Sequence, residues 1–455
     1  MTKTLIFLVC EMKTKFQSTI ETITASSIPM HMPGHKRNTA LLGDDLPYSV
    51  DVTEIDGADD LHDPEDGGII GSLCHKYADL YKAKFAHPLI GGSTCGILAG
   101  IRTLTKPGDA VIVARNCHKS VWHAIELCGL RPTCILPPII EEYGICGAIT
   151  AAAVEDAFSR SQGATCVILT SPTYEGVISD VDSIAEVCKK HSAALFIDAA
   201  HGAHLGFSEH FPGFPRGADI AVTSLHKTLP ALTQTALGLV FNEKYSSRFA
   251  RNLGIFETSS PSYILMNSIA RCADILADSK ELFDSYRTML DEFYASTNPE
   301  KLKLIVTDDI GKISISTRGT NFTGSSLAEA LRSGFHIEPE MVHSDYLLCM
   351  TSVCDTRENL AALSRAITEL DAEAEYSEGR IYPSFITELP PTEIPLADAV
   401  LSDIPDGGEI SNAYVWVYPP GIPLLLPGER VTEEIKNHLE MLKISGISPK
   451  IIKTS

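Results

Sequence analysis

No Cys-x-x-Cys pair occurs in the 455 residues, and no uninterrupted apolar run reaches the ~18 residues needed to span a bilayer. Positive charge is scarce: 37 Lys and Arg stand against 58 Asp and Glu, a net charge of −21. The first absence argues against a zinc ribbon or a disulfide framework, since the twelve cysteines are scattered from Cys10 to Cys354 without regular spacing. The second excludes a spanning helix, and the apolar run Leu5 to Cys10, closed at once by Glu11, is too short for a signal sequence. The third sets nucleic acid and anionic membranes aside as partners, because an acidic field repels both, whereas small cationic molecules are drawn in. A reducing cytoplasm fits this cysteine usage. Hydrophobic residues at 44% and charged residues at 21% describe an ordinary globular chain, long enough for two or three cores. Internal repeats and low-complexity tracts are missing too.

Residues 1–50 read as an N-terminal arm, 51–295 as a large α/β domain and 296–455 as a smaller α/β domain. In the large unit, short apolar runs alternate with helical segments. Val111-Ile-Val-Ala, Cys166 to Thr170, Ala194 to Asp198 and Ile220 to Thr223 are strand patterns, with helices from Lys119 to Cys128 and Ser183 to His191 between them. Strands separated by helices imply right-handed βαβ units and a mostly parallel sheet covered on both faces. Longer amphipathic helices over 262–294 lead out of this unit. Beyond Lys303 come shorter strands, with helices at 325–333 and 357–370. The stretch from Pro383 to Pro395 is Pro-rich and reads as irregular.

Three features fall at the carboxyl ends of expected parallel strands, where α/β sheets place ligands. Gly91-Gly-Ser-Thr94 opens a helix and offers N–H groups, hydroxyls and a positive dipole end to a phosphate, although such turns also start many helices without a ligand. Asp198 ends a strand and precedes Ala-Ala-His201-Gly-Ala-His204; it can hold a heterocyclic nitrogen in its protonated form, or simply cap the next helix. Lys227 follows Ser224-Leu-His226 just after another strand, and a lysine there can form a Schiff base if its amine is desolvated. Each alone is ordinary. In that order, with Asp198 and Lys227 one strand apart, they suit pyridoxal 5'-phosphate.

Further stretches give the set a family. The chain resembles the Orn/Lys/Arg decarboxylases in His31-Met-Pro-Gly-His-Lys36, Asp51-Val-Thr-Glu54, Asp59-Asp-Leu-His62 and Asn116-Cys-His-Lys-Ser120. Ser171-Pro-Thr-Tyr-Glu-Gly176, Asp198 to His204, Ser224 to Gln234, Tyr418-Pro-Pro-Gly-Ile-Pro and Pro427-Gly-Glu429 continue the match in order. The resemblance implies the aminotransferase-like fold type I, a seven-stranded, mostly parallel sheet with a smaller C-terminal α/β domain. It implies that Lys227 carries the cofactor as a Schiff base and that Ser224 and His226 contact its phosphate, with Ser93, Thr94 and the amide of Cys95. Asp198 would pair with the ring nitrogen, Ala200 pack on one ring face, and His118 stack on the other and assist proton transfer. His201 would lie near the ring hydroxyl or the substrate carboxylate. The resemblance also implies a homodimer, or a dimer-based oligomer, with active sites at the interface. Leu225 departs from the usual threonine, the first ~25 residues lack the usual opening, and the wing domain of the large inducible members has no counterpart.

The activity so implied is decarboxylation of arginine, lysine or ornithine. The cationic end of such a substrate needs a carboxylate; Glu338, Glu340, Asp345 and the partner subunit are the candidates. Cofactor residues alone do not fix which Cα bond breaks, so an aminotransferase or aldolase stays open, as does a non-catalytic paralogue. A metallohydrolase on His201, His204 and Asp198 fits poorly, because His-x-x-His is not the i, i+4 pair of a zincin helix; no metal is expected.

Overall fold

The structure, a computed structural model, describes residues 13–377, 386, 388–417, 421–444 and 446–454. Residues 85–240 supply nine strands: β1 (Phe85–Leu89), β2 (Ala110–Ala114), β3 (Arg131–Ile135), β4 (Ile139–Ile140), β5 (Ile145–Cys146), β6 (Cys166–Thr170), β7 (Ala194–Asp198), β8 (Ile220–Ser224) and β9 (Ala236–Val240). Seven of them form one sheet in the order β1-β9-β8-β7-β6-β2-β3. Neighbours from β8 through to β3 pair in parallel, and only β9 runs against the rest. β7, β8 and β9 are buried at every residue, as mostly apolar strands are when helices cover both faces. The two proline-bearing strands, β1 with Pro88 and β3 with Pro132, lie at the two sheet edges, where a missing N–H breaks no inner ladder.

The helix Gly92–Leu104 crosses this sheet closely, and its glycines explain how. A Cβ on Gly96 would stand 2.5 Å from Leu89 Cδ1, and one on Gly100 would stand 2.4 Å from Phe196 Cε2. With hydrogen at both positions, the helix backbone settles onto β1, β7 and β8 and its first turn is held at the sheet's carboxyl edge.

Helices Tyr263–Ala277 and Lys280–Ser296 lead to a second, antiparallel sheet, ordered β10-β11-β13-β12, from β10 (Lys303–Ile305), β11 (Lys312–Ser316), β12 (Met341–Val342) and β13 (Tyr346–Met350). Helices Gly324–Phe335 and Arg357–Glu373 accompany it. A third sheet, ordered β15-β14-β16, comes from β14 (Ala413–Val417), β15 (Ile422–Leu425) and β16 (Lys450–Lys453). The C-terminal part therefore carries two small sheets. Most of the buried apolar side chains of all these parts join one continuous core. Within the N-terminal arm, helix Lys15–Ala25 buries Phe16 and Ile20, where the sequence shows no familiar pattern. Among the described residues every cysteine is a free thiol, and no helix is long and apolar enough to cross a membrane.

Candidate active site

Register places the chemistry. Thr170 pairs with Asp198 and Asp198 with Val222, so β6 and β7 finish level and β8 runs two residues further, to Ser224. The loops leaving those ends line one cavity, which contains Ser93, Asn116, His118, Thr170, Tyr174, Glu175, Asp198, Ala200, His201 and Lys227. Lys227 stands on the short helix Leu225–Thr228 directly after β8. Leu225 is fully buried in the main core, which turns the departing residue away from the cavity.

The Lys227 ammonium form is disfavoured by burial, which lowers its pKa against the opposing pull of Asp198 and Glu340. Its Nζ lies 2.9 Å from His201 Nε2. Asp198 is buried, and burial raises its carboxyl pKa, while Lys227 and the Ala200 N–H, donated to Oδ1 at 3.1 Å, oppose that rise. Such a carboxyl gains most from a cationic N–H partner. His118 caps helix Lys119–Leu127: its Nδ1 accepts from the Ser120 N–H at 3.3 Å, which leaves the proton on Nε2. Burial, then Lys227, pushes its pKa down to about 3, so the ring is neutral at ordinary pH. His226 donates from Nδ1 to the Thr235 carbonyl at 2.8 Å.

Buried polar atoms mark the seat of a polar ligand. Among the described residues, Ser224 Oγ, Thr170 Oγ1 and Asn116 Oδ1 are buried without a hydrogen-bond partner. The helix Gly92–Leu104 begins at Gly91 with no side-chain cap; Glu257 Oε1 accepts the Ile90 N–H at 3.2 Å just before it, while Ser93 of the first turn faces the cavity. Ser93 lines the cavity and Thr94 is exposed beside it, whereas the Cys95 thiol turns away to Glu257 Oε2 at 2.9 Å. A phosphate at the helix end, a ring nitrogen at Asp198 and an aldehyde at Lys227 fit these donors and acceptors.

The proposed substrate carboxylates separate. Glu338 is exposed and forked onto Arg332, with Nη2 at 2.8 Å, and does not line the cavity. Asp345 is buried and held by Arg318 Nε at 2.5 Å and by His343 Nδ1 at 2.8 Å. Glu340 is exposed but near the cavity, since Tyr174 Oη donates to it at 2.6 Å and Tyr174 packs on His201 with ring centroids 4.1 Å apart. His204 diverges from His201 and meets Asp309 Oδ1 at 3.2 Å. Among the described residues no three His, Cys, Asp or Glu side chains gather as a metal site. Tyr418, Pro419 and Pro420 of the terminal motif lie outside the described residues; Ile422 of that motif lines the cavity.

Three residues here carry no role in the sequence reading. Tyr174 and Glu175 sit inside a motif that drew notice only for its resemblance. Glu175 is buried, accepts from Tyr346 Oη at 2.7 Å, and faces both this cavity and an adjoining one that runs past His343 to His438. The third is Lys312 at the start of β11, 1% exposed, whose Nζ lies 3.4 Å from His201 Nδ1.

The profile of the Orn/Lys/Arg decarboxylase major domain matches residues 23–283, and that of the C-terminal domain of the same family matches 401–447. The chain belongs to the Orn/Lys/Arg decarboxylase family. It is accordingly a pyridoxal phosphate-dependent amino acid decarboxylase of fold type I. Among its relatives, an arginine decarboxylase of Halalkalibacterium halodurans is 31% identical over 89% of this chain and 88% of its own length. An arginine decarboxylase of Bacillus subtilis is 30% identical over 90% and 89%. The fold is shared with lysine decarboxylase A from Pseudomonas aeruginosa, at a TM-score of 0.79 and 18% identity, over 96% of this chain and 76% of that one.

Proposed function

We propose that this enzyme removes the α-carboxylate of a basic amino acid, arginine first among arginine, lysine and ornithine, with the cofactor held on Lys227. The observation that carries this reading is the single cavity in which Lys227 Nζ, the buried Asp198 carboxyl, His118 and the open helix end at Ser93 converge. The ranking of arginine rests on the names of relatives that span about nine-tenths of the chain. When bound, pyridoxal phosphate supplies the electron sink for the bond between Cα and its carboxylate.

The chain's own residues do the rest. Ser93, Ser224, His226 and the amides of the helix start would hold the phosphate; Asp198 would hold a proton at the ring nitrogen. Ala200 and His118 would contact the ring. Lys227 would hold the cofactor until a substrate amine takes its place, and it or His118 would supply a proton to Cα. Glu175, buried where the two cavities meet, is the carboxylate placed to receive the substrate's distal cation, with Glu340 at the mouth.

The working unit on this reading is a homodimer. Ile28, Met30 and Leu41 of the N-terminal arm are 79–87% exposed, a run of apolar surface that a second copy would cover. Sedimentation of the full chain should give twice the chain mass. The activity is tested by incubating the holoenzyme with each of the three amino acids and measuring CO2 and amine, with Lys227→Ala as the control. Amine and CO2 are expected, and both are lost, with the visible cofactor absorbance, in the variant. A keto acid product would overturn the proposal.

A further inference from the structure

The His201 ring lies between two lysines. Lys227 Nζ is 2.9 Å from Nε2, and Lys312 Nζ is 3.4 Å from Nδ1. A neutral imidazole offers one N–H and one lone pair, so the two lysines cannot both point an ammonium proton at it. Burial, followed by the positive charges of Lys227 and Lys312, holds His201 well below its ordinary pKa, so the ring stays neutral. One lysine must then donate while the other accepts.

We propose that Lys312 and His201 form a proton relay with Lys227, letting Lys227 become a free amine without releasing its proton to solvent. In the first arrangement Lys227 is an ammonium donating to His201 Nε2, and His201 donates from Nδ1 to the neutral amine of Lys312. As the Lys227 proton passes to Nε2, the Nδ1 proton passes to Lys312 Nζ. Lys227 is left as –NH2, Lys312 becomes –NH3+, and the charge of the three groups together is unchanged. The reverse transfer recharges Lys227 when a proton is required.

The surroundings suit Lys312 for this. It is 1% exposed, and its pKa is lowered to about 8, chiefly by burial and also by Lys227, against the opposing pull of Asp309, Glu340 and Glu175. Asp309, itself paired with His204, is the counter-charge on the Lys312 side; Asp198 and Glu340 play that part for Lys227. His118 and His226 also face His201. A lysine so placed exchanges its proton near neutrality, which an arginine cannot do. Lys312 touches neither cofactor nor substrate in this scheme, so it is a positioning and relay residue, and the idea rests on Lys227 being the cofactor lysine.

The test is the pH dependence of cofactor capture. Full-length protein freed of cofactor is mixed with pyridoxal phosphate, and the rise of visible absorbance is timed at each pH. In the native protein the rate should climb up to about pH 8 and then level off, because above that point one proton is shared within the triad. In Lys312→Met the rate should keep climbing about tenfold per pH unit through that region, since only free Lys227 reacts. Lys312→Arg should behave like Lys312→Met, because the guanidinium cannot take part in the exchange. His201→Gln breaks the relay while leaving Lys312 beside Asp309, and serves if Lys312→Met fails to fold. If Lys312 is only a structural counter-charge, the variants will change yield and thermal midpoint but keep the native profile, and the relay is refuted. Covalent capture by Lys227→Ala would instead refute the assignment of Lys227.

Discussion

Removing Glu429 should destabilise the enzyme far more than an ordinary surface substitution, because it leaves a buried guanidinium alone. Arg115 follows β2 and leads into Asn116 and His118; Glu429 belongs to the Pro-Gly-Glu turn that follows β15. The pair is bidentate, with Nη1 to Oε1 at 2.7 Å and Nη2 to Oε2 at 2.8 Å, and the two side chains are 2% and 4% exposed. Glu429 Oε2 also accepts the Leu426 N–H at 2.8 Å, and Arg115 Nη2 donates to the Leu424 carbonyl at 3.1 Å. Breaking such a pair from one side costs about 3–5 kcal/mol, whereas replacing both members by apolar groups of similar volume is often close to neutral. Glu429→Ala should therefore lose about 3–5 kcal/mol, and Glu429→Gln, which keeps hydrogen-bonding atoms, roughly half of that. Arg115→Met with Glu429→Leu should recover most of the loss. Urea unfolding of the native protein, Arg115→Met, Glu429→Leu and the double variant, followed by fluorescence and by retained decarboxylase activity, gives the coupling energy directly, with Glu429→Ala and Glu429→Gln measured beside them. A loss below about 1 kcal/mol for Glu429→Ala, or a double variant as unstable as the sum of the singles, would show that the buried pair is not what fastens the β15 region to the end of β2.

Asp198→Asn keeps the shape of the side chain but cannot hold the ring nitrogen's proton as a carboxylate; kcat should fall at least a hundredfold, about 3 kcal/mol, with folding intact by circular dichroism. A variant within a factor of three of native would sink the role given to Asp198. His87 and His118 are buried with pKa values pushed down to about 3, mainly by burial, so the folded state binds fewer protons than the unfolded one below about pH 6.5. Stability should accordingly be flat above that pH and decline as pH falls from about 6.5 toward 3, and His87→Gln should flatten the decline; unfolding midpoints measured at a series of pH values check both. Gly100→Leu would drive a side chain into Phe196 and lift the helix from the sheet. We expect it to yield little folded protein in a solubility assay, and a well-folded, cofactor-loaded Gly100→Leu would refute the close-approach argument.

How much of this was legible beforehand divides along contact distance. Asp198 and Lys227 could be read because the first ends a short apolar strand and the second follows another within three residues, and strand ends in parallel sheets are where ligands sit. β3 escaped because Pro132 interrupts its pattern, and only the finished sheet shows that it is an edge strand where proline is tolerated. Glu338 and Glu340 looked equivalent two residues apart. The path of the chain sends one to Arg332 on the surface and the other to Tyr174 beside His201. Lys312 had no signal at all: it is one lysine on a short strand, brought to His201 across 111 positions of sequence by the seating of the second sheet against the first. The same holds for Arg115 and Glu429, 314 positions apart, which turn two separately recognisable motifs into one joint. Motif reading thus recovers the groups that bind the cofactor, because binding imposes fixed residue types at strand ends. The groups that set protonation are chosen by burial and neighbouring charge, properties that arise only when distant segments pack. It follows that the pH behaviour of this enzyme, more than its choice of cofactor, is where Lys312 and its contact with His201 should show their effect.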